Sequence, residues 1–176
     1  MATFRSKAQL GGNIFRQTEE GPAEVTATVL VPSGTAIAAS DVFEFMRIGA
    51  NHRILEVTFE TDDIDTGTTA TINVGYSAPI AGITAAAFLS ASTLGQAGGM
   101  ARVENGGSTA FAGGVLAPHA ENITLRAAIG TGPAGNPATD RRLTLTAKIT
   151  KFVTAGSVLP PYHYANRYSS AGVGTL

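Results

Sequence analysis

Arg142-Leu143-Thr144-Leu145-Thr146-Ala147-Lys148-Ile149-Thr150 decides the fold of this chain. Leu143, Leu145, Ala147 and Ile149 alternate with Arg142, Thr144, Thr146, Lys148 and Thr150. That two-residue period gives a β-strand one apolar and one polar face, whereas a helix would smear the same residues round its circumference. The period recurs upstream in Ile123, Leu125, Ala127 and Ile129, and again in Ala70, Ile72, Val74 and Tyr76, with Thr71 and Asn73 opposite. It begins with Val25, Ala27, Val29 and Val31, where Pro32-Ser33-Gly34 breaks the run as turn residues do.

Two further strands fill the first half. Residues 42–48 set Phe43 and Phe45 opposite Val42, Glu44, Met46 and Ile48, and residues 53–61 place Leu55, Val57 and Phe59 inward with Glu56, Thr58 and Glu60 toward water. The acidic turn Asp62-Asp63-Ile64-Asp65-Thr66-Gly67 then reads as the link of a hairpin between strands 53–61 and 70–76. Residues 83–96 predict the one short helix: Ala85-Ala86-Ala87 has high helix propensity, Ile83, Ala87 and Leu94 offer an apolar stripe, and Gly98-Gly99 would end it. A shorter strand is expected near 109–116 and a Gly/Pro loop at 130–137. About seven or eight short strands separated by turns predict an all-β fold, an antiparallel β-sandwich or jelly roll.

The strands lie in residues 23–153. Residues 1–22 and 154–176 show no packing period and are expected to be an extended N-terminal arm and an extended C-terminal tail. Both carry aromatic and Arg side chains of the kind favoured at interface cores. The expected contact residues, toward capsid or sister subunits, are Phe4, Arg5, Phe15 and Arg16 in the arm and Tyr162, Tyr164, Arg167 and Tyr168 in the tail. Packing of the tail rings back on their own sandwich is the competing reading.

Composition narrows the function. The chain has 176 residues, 44% hydrophobic and only 14% charged, with 21 Gly, a balance that favours a turn-rich β subunit. Twelve basic against 13 acidic residues give a formal charge of -1, which supplies no footprint for a nucleic-acid backbone. No cysteine is present, so disulfides, thiolate nucleophiles and zinc–thiolate sites are excluded together. No apolar run reaches the roughly 18 residues of a spanning helix, and no apolar h-region follows the first positive residues, so the chain is expected to be soluble as made and without membrane contact; a cytoplasmic origin fits the lack of cysteine without following from it.

Motifs with chemistry are few. Asp65-Thr66-Gly67 matches the loop of dimeric aspartic proteases, in which two carboxylates share a proton. Here Asp62 and Asp63 precede it and Thr68-Thr69 follow, where those enzymes have an apolar strand and a small residue. The simpler reading is a β-turn in which Asp65 caps its own backbone and Gly67 supplies a positive φ. Asp62, Asp63 and Asp65 could offer hard oxygens to calcium, without the full loop of an EF-hand. His52, His119 and His163 lack metal-ligand spacing. No serine sits in a Gly-x-Ser-x-Gly elbow, and Gly130-Thr131-Gly132-Pro133 lacks the Lys-Ser/Thr of a phosphate loop. Asn122-Ile123-Thr124 matches a glycosylation sequon at what reads as a strand start. The chain is therefore expected to be no enzyme and to need no cofactor or metal.

The Phe/Arg-containing arm, Val29-Leu30-Val31-Pro32-Ser33-Gly34-Thr35, the pair Asp41 to Ile48 and Arg53 to Val57, and Asp62 through Tyr76 together resemble the jelly-roll head decoration, or cement, proteins of tailed bacteriophages. The resemblance is best over residues 25–76. It implies a non-enzymatic virion protein on the capsid outer surface, a homo-oligomer (dimer or trimer) that clamps adjacent major capsid protein subunits. It carries over no individual binding residue. A second function fits the same framework: a phage tail or spike module that binds host carbohydrate through loop-borne Tyr and Asp.

Overall fold

The computed structural model describes residues 1–12, 14–15, 21–104 and 121–151. In chain order the elements are β1 (Thr3–Arg5), α1 (Lys7–Leu10), β2 (Ile14–Phe15), β3 (Ala23–Val31), β4 (Val42–Ile48), β5 (His52–Thr61), β6 (Ile72–Ala78), β7 (Gly82–Ser92), a 3-10 turn (Leu94–Gln96), β8 (Gly99–Glu104), β9 (Ile123–Ile129) and β10 (Arg141–Lys151).

Two sheets face each other. One has the order β3-β10-β5-β8 and the other β1-β4-β9-β6-β7, with β2 also on β4. Setting β1 and β2 aside, the strands from β3 to β10 interleave as first, eighth, third, sixth in one sheet and second, seventh, fourth, fifth in the other. That is a jelly roll, and the all-β reading of the sequence holds. The apolar faces named by the period meet in one core: Val29, Val31, Val57, Phe59, Leu143, Leu145 and Ile149 from one side, Phe43, Ile72, Val74, Leu125 and Ala127 from the other. Phe45 and Phe59 bridge the sheets edge to face, centroids 6.2 Å apart at 82°, a pairing that adds about 1 kcal/mol to the burial of the two rings.

Four expectations need correction. Strands 53–61 and 70–76 do not form a hairpin: β5 and β6 lie in different sheets and the acidic turn crosses between them, while the hairpin joins β6 to β7. Both β5 and β6 carry a single buried face, and alternation alone does not say which sheet each face completes. The helix expected at 83–96 is absent; residues 82–92 form an edge strand and only Leu94–Gln96 turns helically. Alanine propensity is worth tenths of a kcal/mol per residue, less than the ladder hydrogen bonds and the burial of Ala87 and Phe88 that β6 provides. The short helix is instead α1, in the arm.

The remaining two concern phase. Leu55 is half-buried and Ile54 takes the core position, because the β5–β10 register shifts between Lys148 and Ile149. On β4 the register shifts between Glu44 and Met46, which sets Met46 and Ile48 opposite Leu125 and Ile123 on the same face as Phe43. A bulge inserts one residue and reverses the alternation beyond it. Gly98-Gly99, read as a helix stop, opens β8. The strand expected near 109–116 lies outside the described residues.

The N-terminal segment follows the free edge of β4. β1 pairs in parallel with Val42 to Glu44, β2 with Arg47 and Ile48, and α1 fills the interval beside the β4 bulge. Ser6 makes this detour possible. Its N–H donates to the Glu44 carbonyl, its hydroxyl donates to the Phe45 carbonyl, and its Oγ accepts the Gln9 N–H as the N-cap of α1.

Candidate functional site

Of the expected contact residues, Phe4 and Arg5 are fully described and Phe15 by its backbone, whereas Arg16, Tyr162, Tyr164, Arg167 and Tyr168 lie outside the described residues. Phe4 stacks on Phe43 with centroids 5.0 Å apart and planes at 16°, so its ring is occupied within the fold. Arg5 Nε donates to Glu44 Oε2 at 2.8 Å, an exposed pair worth no more than about 1 kcal/mol. Phe15 pairs through its backbone with Ile48. The structure thus gathers Phe4, Arg5 and Phe15 along one edge of β4.

Beside that edge lies a surface groove of about 490 Å³, bounded by residues 5–8 and by Thr26, Thr28 and Leu30 of β3, with Arg142 from β10. Leu30 is 55% exposed there. The Thr26 and Thr28 hydroxyls are paired with those of Thr146 and Thr144, at 2.9 Å each. Lys7 and Arg142 bring positive charge, and Lys7 has no ion pair among the described residues. The period marks Leu30 as outward facing, but no sequence signal brings Lys7 beside Arg142.

The loops at one end of the sandwich form the second constellation, with Asp65 at its centre. Asp65 is 1% exposed. Its Oδ1 accepts the N–H groups of Gly67 at 2.9 Å and Ala134 at 2.7 Å, and its Oδ2 those of Thr69 and Ala70, both at 2.8 Å. Burial alone pushes the carboxyl up, but the backbone donors of Ala70, Gly67, Thr69 and Ala134 together outweigh it and hold it well below the usual carboxylate range. Every lone-pair direction of this carboxylate is spent on the backbone. It is therefore not placed to share a proton with a second carboxyl, as the protease reading requires.

The turn reading of Asp65 holds, with one correction. Gly67 does not have a positive φ; it is small because a Cβ there would lie 2.8 Å from the Ala134 Cβ. The glycine lets two loops touch. For the calcium reading, Asp63 Oδ1 accepts the Asp65 N–H at 2.9 Å and Asp62 Oδ2 the Arg142 N–H at 2.7 Å, and no metal-binding cluster of side chains occurs among the described residues. His52 is buried, its Nδ1 donating to the Gly49 and Ala50 carbonyls; His119 and His163 lie outside the described residues. Asn122 accepts the Ala50 N–H just before β9.

Arg141, which the sequence reading did not single out, ties the same end together. It is fully buried, and its Nη2 donates to the Thr35 carbonyl at 2.7 Å and the Pro32 carbonyl at 3.3 Å, while Nη1 reaches Asn136 Oδ1 at 3.3 Å. Burial lowers its pKa, partly offset by Asp140, and a guanidinium stays charged regardless. Its position at the start of a long strand, one residue before a polar Arg in the alternation, was the available signal. The turn at 94–96 joins the network through Ile64 N–H to Gly95 carbonyl at 3.0 Å and Gln96 Nε2 to Ala70 carbonyl at 3.0 Å. This end of the jelly roll is a braced platform, and no helix among the described residues is long and apolar enough to cross a membrane.

Against known proteins, no family model matches the chain, and no curated protein matches it. Two solved structures do. A chain of the capsid of Ralstonia phage GP4 superposes with a TM-score of 0.67 at 24% identity, covering 87% of this chain and 100% of that one. A chain of the cyanophage Pam1 capsid asymmetric unit superposes with a TM-score of 0.55 at 23% identity, covering 76% and 89%. The chain shares the fold of these two proteins.

Proposed function

We propose that this chain is a structural protein of a tailed-phage head, a decoration subunit that sits on the outer surface of the shell and clamps neighbouring major capsid protein subunits. The observation that carries the reading is the fold match to a chain of the GP4 capsid, over 87% of this chain and 100% of that one. A second match from another phage capsid supports it. The chemistry is in keeping: a braced sandwich spaces the contacts, and many weak contacts repeated over a lattice stabilise collectively. Self-association as a dimer or trimer belongs to the same proposal, with residues 1–22 and 154–176 as its contact segments.

The test uses shells assembled without this chain. Adding the full-length protein is expected to saturate the shell surface at a fixed ratio, to raise the temperature at which the shells break, and to give repeated density over capsid subunits by electron cryo-microscopy. Density confined to the tail, or failure to bind shells at all, would overturn the reading and favour the carbohydrate-binding alternative.

A further inference from the structure

β3 is the end strand of its sheet. One edge pairs with β10 over the whole span from Ala23 to Val31, and the other pairs with no strand among the described residues. Proteins commonly guard such an edge with a charge aimed along it, a proline or a bulge. The described part of β3 has no proline and its pairing with β10 runs without a register shift; its one charge, Glu24, stands near the Ala23 end, and α1 packs beside the strand and forms one wall of the groove. The groove bounded by Lys7, Thr28, Leu30 and Arg142 lies along this strand.

We propose that the groove accepts an extended acidic segment of a neighbouring protein subunit, which adds to β3 as a further strand; this rests on the decoration reading above. Strand addition satisfies the free backbone groups of both partners, and pockets for alternate side chains give the specificity. Here the exposed Leu30 side chain and Ala8 offer an apolar seat, and Lys7 and Arg142 select carboxylates at the rim. Arg142 also borders a smaller hollow with Glu60 and Asp62, so Lys7 is the less neutralised of the two cations. Arg5, engaged by Glu44, is not needed. A basic segment would meet repulsion from Lys7, which sets the sign of the partner.

The experiment compares hydrogen exchange of the full-length protein free and bound to shells assembled without it, with the variant K7E/R142Q alongside. Lys7 and Arg142 are both exposed, so melting of the free variant should match the parent and serves as the folding control. The amides of residues 23–31 are expected to gain protection on binding, and the variant to bind about tenfold or more weakly, equal to about 1.4 kcal/mol. Bound protein whose β3 amides exchange as fast as in the free state, or a variant that binds as well as the parent, would overturn the groove while leaving the decoration reading standing. Failure of the parent itself to bind shells would overturn the decoration reading and this proposal with it. Protection of β3 in the free protein that grows with its concentration would name a second copy as the occupant instead, and would also overturn the proposal.

Discussion

Asp65 fastens its own loop to the loop that carries Ala134, so a change of one atom in its side chain acts on both. Asp65→Asn keeps the size but replaces an acceptor oxygen with an NH2 facing backbone donors, a loss of roughly 3 kcal/mol or more for a buried charged acceptor. Chemical denaturation at neutral pH checks it. The pH dependence has a definite sign. Because the folded-state value lies below the ordinary 3.8, the unfolded chain takes up this proton first as acid is added. The contribution is therefore complete above about pH 4 and is lost as pH falls below 3.8 toward the folded-state value. The Asn variant should lose stability less steeply than the parent between about pH 4 and 2. Gly75 makes a second point at this scale. A Cβ there would lie 2.0 Å from the Thr84 carbonyl oxygen and 2.7 Å from the Ala85 carbonyl, both backbone atoms that cannot swing aside. Gly75→Ala should cost about 3 kcal/mol, as severe overpacking does, read as a lowered denaturation midpoint at unchanged slope.

Among the elements, strand identity could be read where one face is apolar, as in β3, β6, β9 and β10, whose buried sets are those the period names but for half-buried Val25 on β3 and the added Arg126 on β9 and Arg141 on β10. The errors fall where a residue is added to a strand. The bulge on β4 and the shift beside Leu55 reverse the alternation, and nothing in the local residue types announces them. In β7 the alanines suit a helix, and only pairing with β6 decides otherwise. The site was less legible: the Asp65 motif stands out in the sequence, but Ala134 reaches Asp65, and Arg141 reaches Pro32 and Thr35, from far along the chain, and long-range contact has no local signature. The arm was read from composition, which could not say that β1 would pair with β4. That pairing has a measurable effect. Removing residues 1–12 strips Phe4 from Phe43 and opens the edge of β4, so the shortened protein should lose about 2 kcal/mol or more and self-associate through the new edge. Melting temperature and size-exclusion chromatography check both parts.

For the molecule as a whole, the jelly roll makes distant segments immediate neighbours. β3 pairs with β10 from Ala23↔Ile149 to Val31↔Arg141, and β10 pairs on its other side with β5. The last described strand is thus central in its sheet. A chain ending at residue 140 leaves both β3 and β5 without their shared partner, and it should show no cooperative unfolding transition by calorimetry. The same centrality makes this sheet one stiff unit, since force applied to β3 passes straight into the strand at its middle.

The position of β10 also sets a schedule for biosynthesis. While the ribosome is still making residues 141–151, every strand of the β1-β4-β9-β6-β7 sheet has been made, but β3 and β5 still wait for the strand between them, and the groove that Arg142 borders has not formed. Polypeptides cut short by premature termination before that point lack the centre of one sheet, by the order of the strands. Only a chain whose translation has passed β10 carries both sheets of the jelly roll.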